Sequence, residues 1–265
     1  MESVIISDIL IADGEFTEMA FNRAMKKWAV EQKMLESTVI GPSTRRYLTA
    51  LIEGRDPKET SGQGNTNGSA MRAAPIGVKY HYDLGKCMEA ALASSLPSHG
   101  SKPAAAAACA VAAAVAAGVA GGYSPTEVLG AAYDAAVFGE KHGAEITAPS
   151  VSKRIRMAEY IVDAAGETDI RNIIDELVGI FGASMFAYES VPLTLGIFYA
   201  VDGNAKDGIL AAVNAGDDAD TNGAICGNIC GAYSGAKALP EEWCVRVQKT
   251  SCLDLRGTAA KLIER

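Results

Sequence analysis

Asp217, Asp218 and Asp220 put three carboxylates into four consecutive positions, and Thr221 follows at once. A helix start needs one capping oxygen, usually from Ser, Thr, Asp or Asn. Three acids exceed that need, and they repel one another unless a cation sits among them. Asp218 and Asp220 are two positions apart. In an extended stretch their side chains share one side; in a helix they point nearly opposite ways. The spacing therefore predicts an extended loop in which Asp218 and Asp220 converge on an ion, with Thr221 adding a hydroxyl where a helix begins. Oxygen ligands of this kind suit magnesium, calcium or manganese rather than zinc. The competing reading is that one Asp caps the helix and the others complement its positive end.

The element that must position these groups is itself unusual. Gly223, Gly227, Gly231 and Gly235 recur at helical spacing behind the acids. Glycine inside a helix costs about 1 kcal/mol relative to alanine. Such a column predicts close approach by neighbouring helices, and hence a central, buried helix. Helical periodicity runs through nearly every other segment as well. Helices are expected over 2–12, 15–31, 43–53, 67–80, 82–95, 102–120, 125–141, 150–165, 168–178, 187–201, 204–213, 221–237, 241–249 and 253–264. Gly41-Pro42, Gly121-Gly122, Ser124-Pro125 and Leu239-Pro240 punctuate them. The fold class is all-α, one globule spanning residues 1–265. No capping residue precedes the apolar run after Met1, so the chain reads as beginning inside a structure.

Composition narrows the function. The 265 residues are 49% apolar and 21% charged, as in a soluble globular protein. A net charge of −8 argues against nucleic acid and against anionic membrane surfaces as partners. An anionic substrate would need local positive charge or a metal. The six cysteines lack zinc-type pairing and read as small buried groups of a reduced cytoplasm. Met1-Glu2 shows no basic leader region, so a cytoplasmic location is expected. The alanine-rich run 103–122 reads as a buried helix rather than a membrane span.

Asn67 to Gly77 reads, taken alone, as a loop entering a helix: Asn67 caps, Gly68 turns, Pro75 ends the element. His99, between proline and glycine neighbours, reads as a local hydrogen-bonding loop residue. His142 reads as a solvated helix end and His81 as structural. Ser43-Thr44-Arg45-Arg46 reads as a cap followed by a basic turn, with anion binding a secondary role. Glu189 is either a charged helix position or part of a loop over the site. No Walker loop, dinucleotide fingerprint or Ser-His-Asp elbow occurs.

Asp218-Ala219-Asp220-Thr221, with the Gly/Ala-rich stretch up to Leu239-Pro240, resembles the C-terminal metal motif of the ADP-ribosylglycohydrolase family. Asn67-Gly68-Ser69-Ala70-Met71-Arg72 is similar to that family's Asn-Gly-(Ala/Ser)-Ala-Met-Arg segment. Gly41-Pro42-Ser43-Thr44-Arg45, Ser98-His99 and Glu189-Ser190-Val191-Pro192 follow the family's order along the whole chain.

The resemblance implies an all-α fold with a magnesium pair, for which manganese can substitute. It implies hydrolysis of an N- or O-glycosidic bond in an ADP-ribosylated protein or a small ribosyl compound, by a monomer or weak oligomer. It carries metal ligation onto Asp218, Asp220 and Thr221. It carries the ribose or phosphate path onto Asn67, Gly68, Ser69, Ala70 and Met71, with His99 as a substrate or supporting contact. It assigns no general acid or base. The family's Gly-Asp-Ala-Leu-Gly segment and Thr-Asp-Asp-Thr run, which supply its other metal ligands, do not occur in this chain. One half of the metal site is thus expected here, with activity impaired. The rivals are a non-catalytic, crystallin-like member and a nucleosidase on a different riboside.

Overall fold

The computed structural model describes residues 1–166 and 168–264. In chain order its helices are α1 (Glu2–Asp13), α2 (Glu18–Glu31), α3 (Pro42–Glu53), α4 (Lys58–Ser61), α5 (Gly68–Met71), α6 (Ala74–Lys79), α7 (Leu84–Ser95) and α8 (Lys102–Ala120). They continue with α9 (Pro125–Glu140), α10 (Val151–Ala165), α11 (Ile170–Phe181), α12 (Ala187–Ala200), α13 (Ala205–Asn214), α14 (Ala219–Ser234), α15 (Glu241–Ser251) and α16 (Leu255–Ile263). Among the described residues, extended pairing is limited to two isolated bridges, Thr66 with Phe186 and Ser101 with Ala144.

Several boundaries differ from the sequence reading: α2 starts at Glu18 rather than 15, α11 runs to Phe181 rather than 178, and α4 was not expected. The helix expected over 67–80 is two short helices, α5 and α6. The break falls at residues 72–73, and Pro75 stands in the first turn of α6, where its missing N–H costs nothing. The helix behind the acids begins at Ala219, earlier than expected, and stops at Ser234, where Gly235 turns to φ 77°.

The centre of the fold is α8, not the glycine-columned α14. Residues 103 to 118 of α8 are all buried. Its most apolar 18-residue stretch is 89% enclosed by protein, as expected for a core helix. Alanine makes this geometry work: it favours the helix and leaves room for backbones to approach. Neighbours arrive glycine first. A Cβ on Gly139 of α9 would lie 2.6 Å from Ala105 O, and one on Gly77 of α6 would lie 2.5 Å from Ala112 O. A Cβ on Gly118 of α8 would lie 2.9 Å from the backbone N of Tyr233 in α14. Within the α14 column only Gly223 and Gly227 are closely approached, by Val213 and Ile209 of α13. Gly231 and Gly235 face open space, so the column is half packing and half helix end.

Helix α12 reaches the site through a compensated defect. Pro192 lies inside it and has no N–H for the carbonyl of Tyr188, four residues back. Arg154 Nη1 donates to that oxygen at 2.9 Å and to Phe181 O at 3.2 Å. Its guanidinium also lies over the Phe181 and Tyr188 rings. The first turn of α12, with Ser190, is thereby fixed.

Candidate active site

Asp218 is the residue immediately before α14, and Asp220 and Thr221 lie in its first turn. Both carboxylates line one cavity although no extended loop carries them, Asp218 standing outside the helix (φ −80°, ψ 53°). Burial pushes the half-buried Asp218 carboxyl above its usual range. Hydrogen bonds from Asn67 and Thr221 oppose this, and Asp220 alongside reinforces it. Asp217, the third acid, takes a left-handed turn at φ 49° after Gly216 and is exposed. Asp tolerates that conformation better than most residues, which gives it a structural task.

A directed series of hydrogen bonds holds Asp218. Asn67 Nδ2 donates to Asp218 Oδ2 at 2.7 Å and to Ser190 Oγ at 3.1 Å, using both amide hydrogens. Ser190 Oγ donates to Asn222 Oδ1 at 2.7 Å, and Asn222 Nδ2 donates to Ala183 O at 2.7 Å. The Asp218 N–H reaches the same carbonyl at 3.2 Å. Asn67 stands at the N-cap position of α5, as its local sequence reading has it, but its side chain makes no capping bond and turns to Asp218 and Ser190 instead. Its backbone is stitched to the segment before α12: Asn67 N–H donates to Met185 O at 2.8 Å, and Ala187 N–H to Asn65 O at 3.0 Å.

His99 is fully buried rather than lying in an open loop. A second series runs through it. Arg72 Nη2 donates to Ser98 Oγ at 2.8 Å, and Ser98 Oγ meets His99 Nδ1 at 2.8 Å. His99 Nε2 meets Thr66 Oγ1 at 3.1 Å, and that hydroxyl donates to Ser43 Oγ at 3.0 Å. These partners assign an accepting Nδ1 and a protonated Nε2, hence a neutral ring. Burial drives the His99 pKa well below its ordinary value, and the positive charges of Arg72 and Arg46 push the same way. Arg72 is itself fully buried and paired with Glu2 at 2.6 Å.

The two series meet at one cavity of about 580 Å³. Of the sequence candidates, Asn67, Gly68, Met71, His99, Asp218, Asp220 and Thr221 line it. Ser69 and Ala70 do not. Ser69 Oγ donates to Ala104 O on α8 at 3.3 Å, and Ala70 lies in the core. One turn of α5 cannot present consecutive residues to the same side. Trp28, Met34, Val39 and Met185 give the lining an apolar portion. Sequence reasoning missed Ser190, Asn222 and Thr66 as supports, and Glu2 and Arg72 as a buried pair. The Glu189–Pro192, Asn67–Arg72 and Asp218–Thr221 motifs contain or adjoin Ser190, Arg72, Thr66 and Asn222.

The donor set at the start of α14 fits a hard cation: two carboxylates and a hydroxyl, all oxygen, with one carboxylate partly desolvated against the other. Among the described residues no three His, Cys, Asp or Glu side chains converge.

YegU of Escherichia coli (strain K12), an uncharacterized protein, is 25% identical over 262 residues, covering 98% of this chain and 78% of that protein. An uncharacterized protein of Archaeoglobus fulgidus is 29% identical over 248 residues, covering 91% of this chain and 72% of that protein. The ADP-ribosylarginine hydrolase Tri1 of Pseudomonas putida (strain GB-1) is 23% identical over 257 residues, covering 92% of this chain and 60% of that protein. A solved ADP-ribosylglycohydrolase-related protein complex shares the fold with a TM-score of 0.69 at 21% identity, covering 99% of this chain and 78% of that chain. With the family model for ADP-ribosylglycohydrolase matching residues 2–265, this chain belongs to that family.

Proposed function

We propose that the chain is a magnesium-dependent hydrolase of a glycosidic bond to ribose, acting on an ADP-ribosylated protein or a smaller ribosyl compound. The observation that carries this reading is the Asp218–Asp220 pair, with Thr221, on the wall of a cavity sized for a small molecule. Asp218, Asp220 and Thr221 would hold the cation, with manganese as a substitute for magnesium. When bound, the ion supplies Lewis-acid stabilisation and orients ribose hydroxyls and water.

The chain's own groups prepare that wall. Asn67 fixes the rotamer of Asp218, and the series through Ser190 and Asn222 fixes Asn67. The positive end of α14 favours the ionised carboxylates against the cost of burial. Neutral His99 and Thr66 add polar atoms without adding charge. Gly68 keeps the backbone thin beside them. Apolar residues elsewhere in the lining limit competing water.

Manganese binding followed by electron paramagnetic resonance tests the reading, alongside ADP-ribose release with magnesium or a chelator. Asp218→Asn and Asp220→Asn should each weaken manganese binding by roughly tenfold or more, comparable to losses seen at other metal-site positions. Unchanged manganese affinity in both variants would remove the proposal's foundation.

A further inference from the structure

Glu189 does not line the cavity, yet its side chain is fully committed. It is the third residue of α12 and half-buried. An acid at that position ordinarily turns back to the N–H just ahead of the helix, closing a capping box. Here that N–H, on Phe186, goes to Ser184 Oγ at 3.4 Å. Glu189 Oε2 reaches two residues further, accepting from Ser184 N–H at 3.2 Å and from Ser184 Oγ at 2.7 Å. Room for the carboxylate comes from Gly182, where φ is 83° and an added Cβ would collide with Oε2.

The segment so gripped, Gly182 to Phe186, carries three bonds that hold the acid wall. Ala183 O accepts from Asp218 N–H at 3.2 Å and from Asn222 Nδ2 at 2.7 Å. Met185 O accepts from Asn67 N–H at 2.8 Å. Ser184 lies between these two carbonyls. Arg154 fastens the helix ends that flank the segment, through Phe181 O and Tyr188 O, and Glu189 fastens its middle.

We infer that Glu189 is a positioning residue for the Asp218–Asp220 wall, acting through Ser184 on the Ala183 carbonyl and so on Asp218. Its effect on Asp218 stands by itself; its effect on a cation rests on the function proposed above. One oxygen accepts both bonds, so the role is geometric rather than a matter of charge. A carboxylate already held in place loses little freedom when an ion binds; a released one loses more.

Two readouts on the full chain test this: manganese affinity by electron paramagnetic resonance and, without metal, hydrogen exchange at the Asp218 amide by nuclear magnetic resonance. Glu189→Ala should weaken manganese binding roughly tenfold or more and quicken Asp218 exchange by a similar factor. Glu189→Gln, which keeps an accepting oxygen, should stay close to wild type in both. Ser184→Ala loses the hydroxyl but keeps the N–H bond, so it should show a smaller loss in the same direction. That variant carries the test if Glu189→Ala does not fold. Gly139→Ala, weakened at the contact of α9 with α8, controls for lost stability and should match wild type in both readouts.

Wild-type exchange at Asp218 in Glu189→Ala and Ser184→Ala overturns the inference, as does an equal loss in Gly139→Ala. Glu189→Gln as impaired as Glu189→Ala overturns it too, because charge would then be the operative property. If wild type binds no manganese while Asp218 exchange follows Glu189, the positioning role stands and the proposed function falls. If manganese binds through Asp218 with an affinity indifferent to Glu189 and Ser184, the function stands and the inference falls.

Discussion

At Gly68 the backbone runs against the His99 imidazole so closely that an added Cβ would lie 2.7 Å from Nε2 and 2.9 Å from Cε1. His99 is fully buried between Ser98 and Thr66 and cannot yield. Gly68→Ala should therefore cost about 1–3 kcal/mol, as overpacking of a core does. At about 2–4 °C per kcal/mol for a chain of this size, the loss is visible in a melting curve. His99 also sets an acid limit. Its folded pKa lies below its unfolded value, so the unfolded chain binds the extra proton first. The stability tied to neutral His99 is complete above about pH 6.5 and declines, by up to ~1.4 kcal/mol per pH unit, as pH falls towards the folded pKa. Urea unfolding between pH 7.5 and 5 should show a shallower decline in His99→Gln; an identical decline would refute this assignment. The acid pair was legible in the sequence because a two-residue interval is a local property. Its supports were not: Asn67 is 123 positions from Ser190 and 151 from Asp218, and nothing local announces such partners.

Helix α9 carries two glycines with opposite meanings. A Cβ added to Gly139 would lie 2.6 Å from backbone atoms of Ala105 and Ala106, whereas one added to Gly130 would meet nothing within 4 Å. Gly139→Ala should destabilise by about 1–3 kcal/mol. Gly130→Ala should stabilise by about 0.4–1 kcal/mol, through helix propensity and a less flexible unfolded chain. Chemical denaturation of the two variants checks the predicted opposition in sign. Period and turn residues alone predicted most helices, and the buried alanine helix with them, because those signals are local. The rank of α14 was misjudged for a related reason. A glycine column looks the same whether a neighbour fills it, as Val213 and Ile209 do at Gly223 and Gly227, or leaves it open, as at Gly231. The split of α5 from α6 needed Pro75 to be read as a start rather than a stop.

Across the whole molecule, Arg72 ties distant parts together. It joins Glu2 of α1, the carbonyl of Ser94 in α7, and Ser98 ahead of α8, and lies over the Phe21 ring of α2 at 4.9 Å. Its Nε has no partner, so the pair is not fully satisfied even when intact. Glu2→Gln should strand a buried cation and cost about 3–5 kcal/mol. The apolar double replacement Glu2→Leu with Arg72→Met should cost much less, since no charge is then left alone. Denaturant midpoints for the two variants separate these outcomes. The stitch between residues 65–67 and 185–187 has a mechanical meaning. Met185 on the cavity rim cannot swing outward without dragging Asn67 from Asp218, since one backbone ladder fastens both. That edge is a fixed jamb, not a flap. The freedom of the rim lies elsewhere along the lining, where Val39 is 81% exposed.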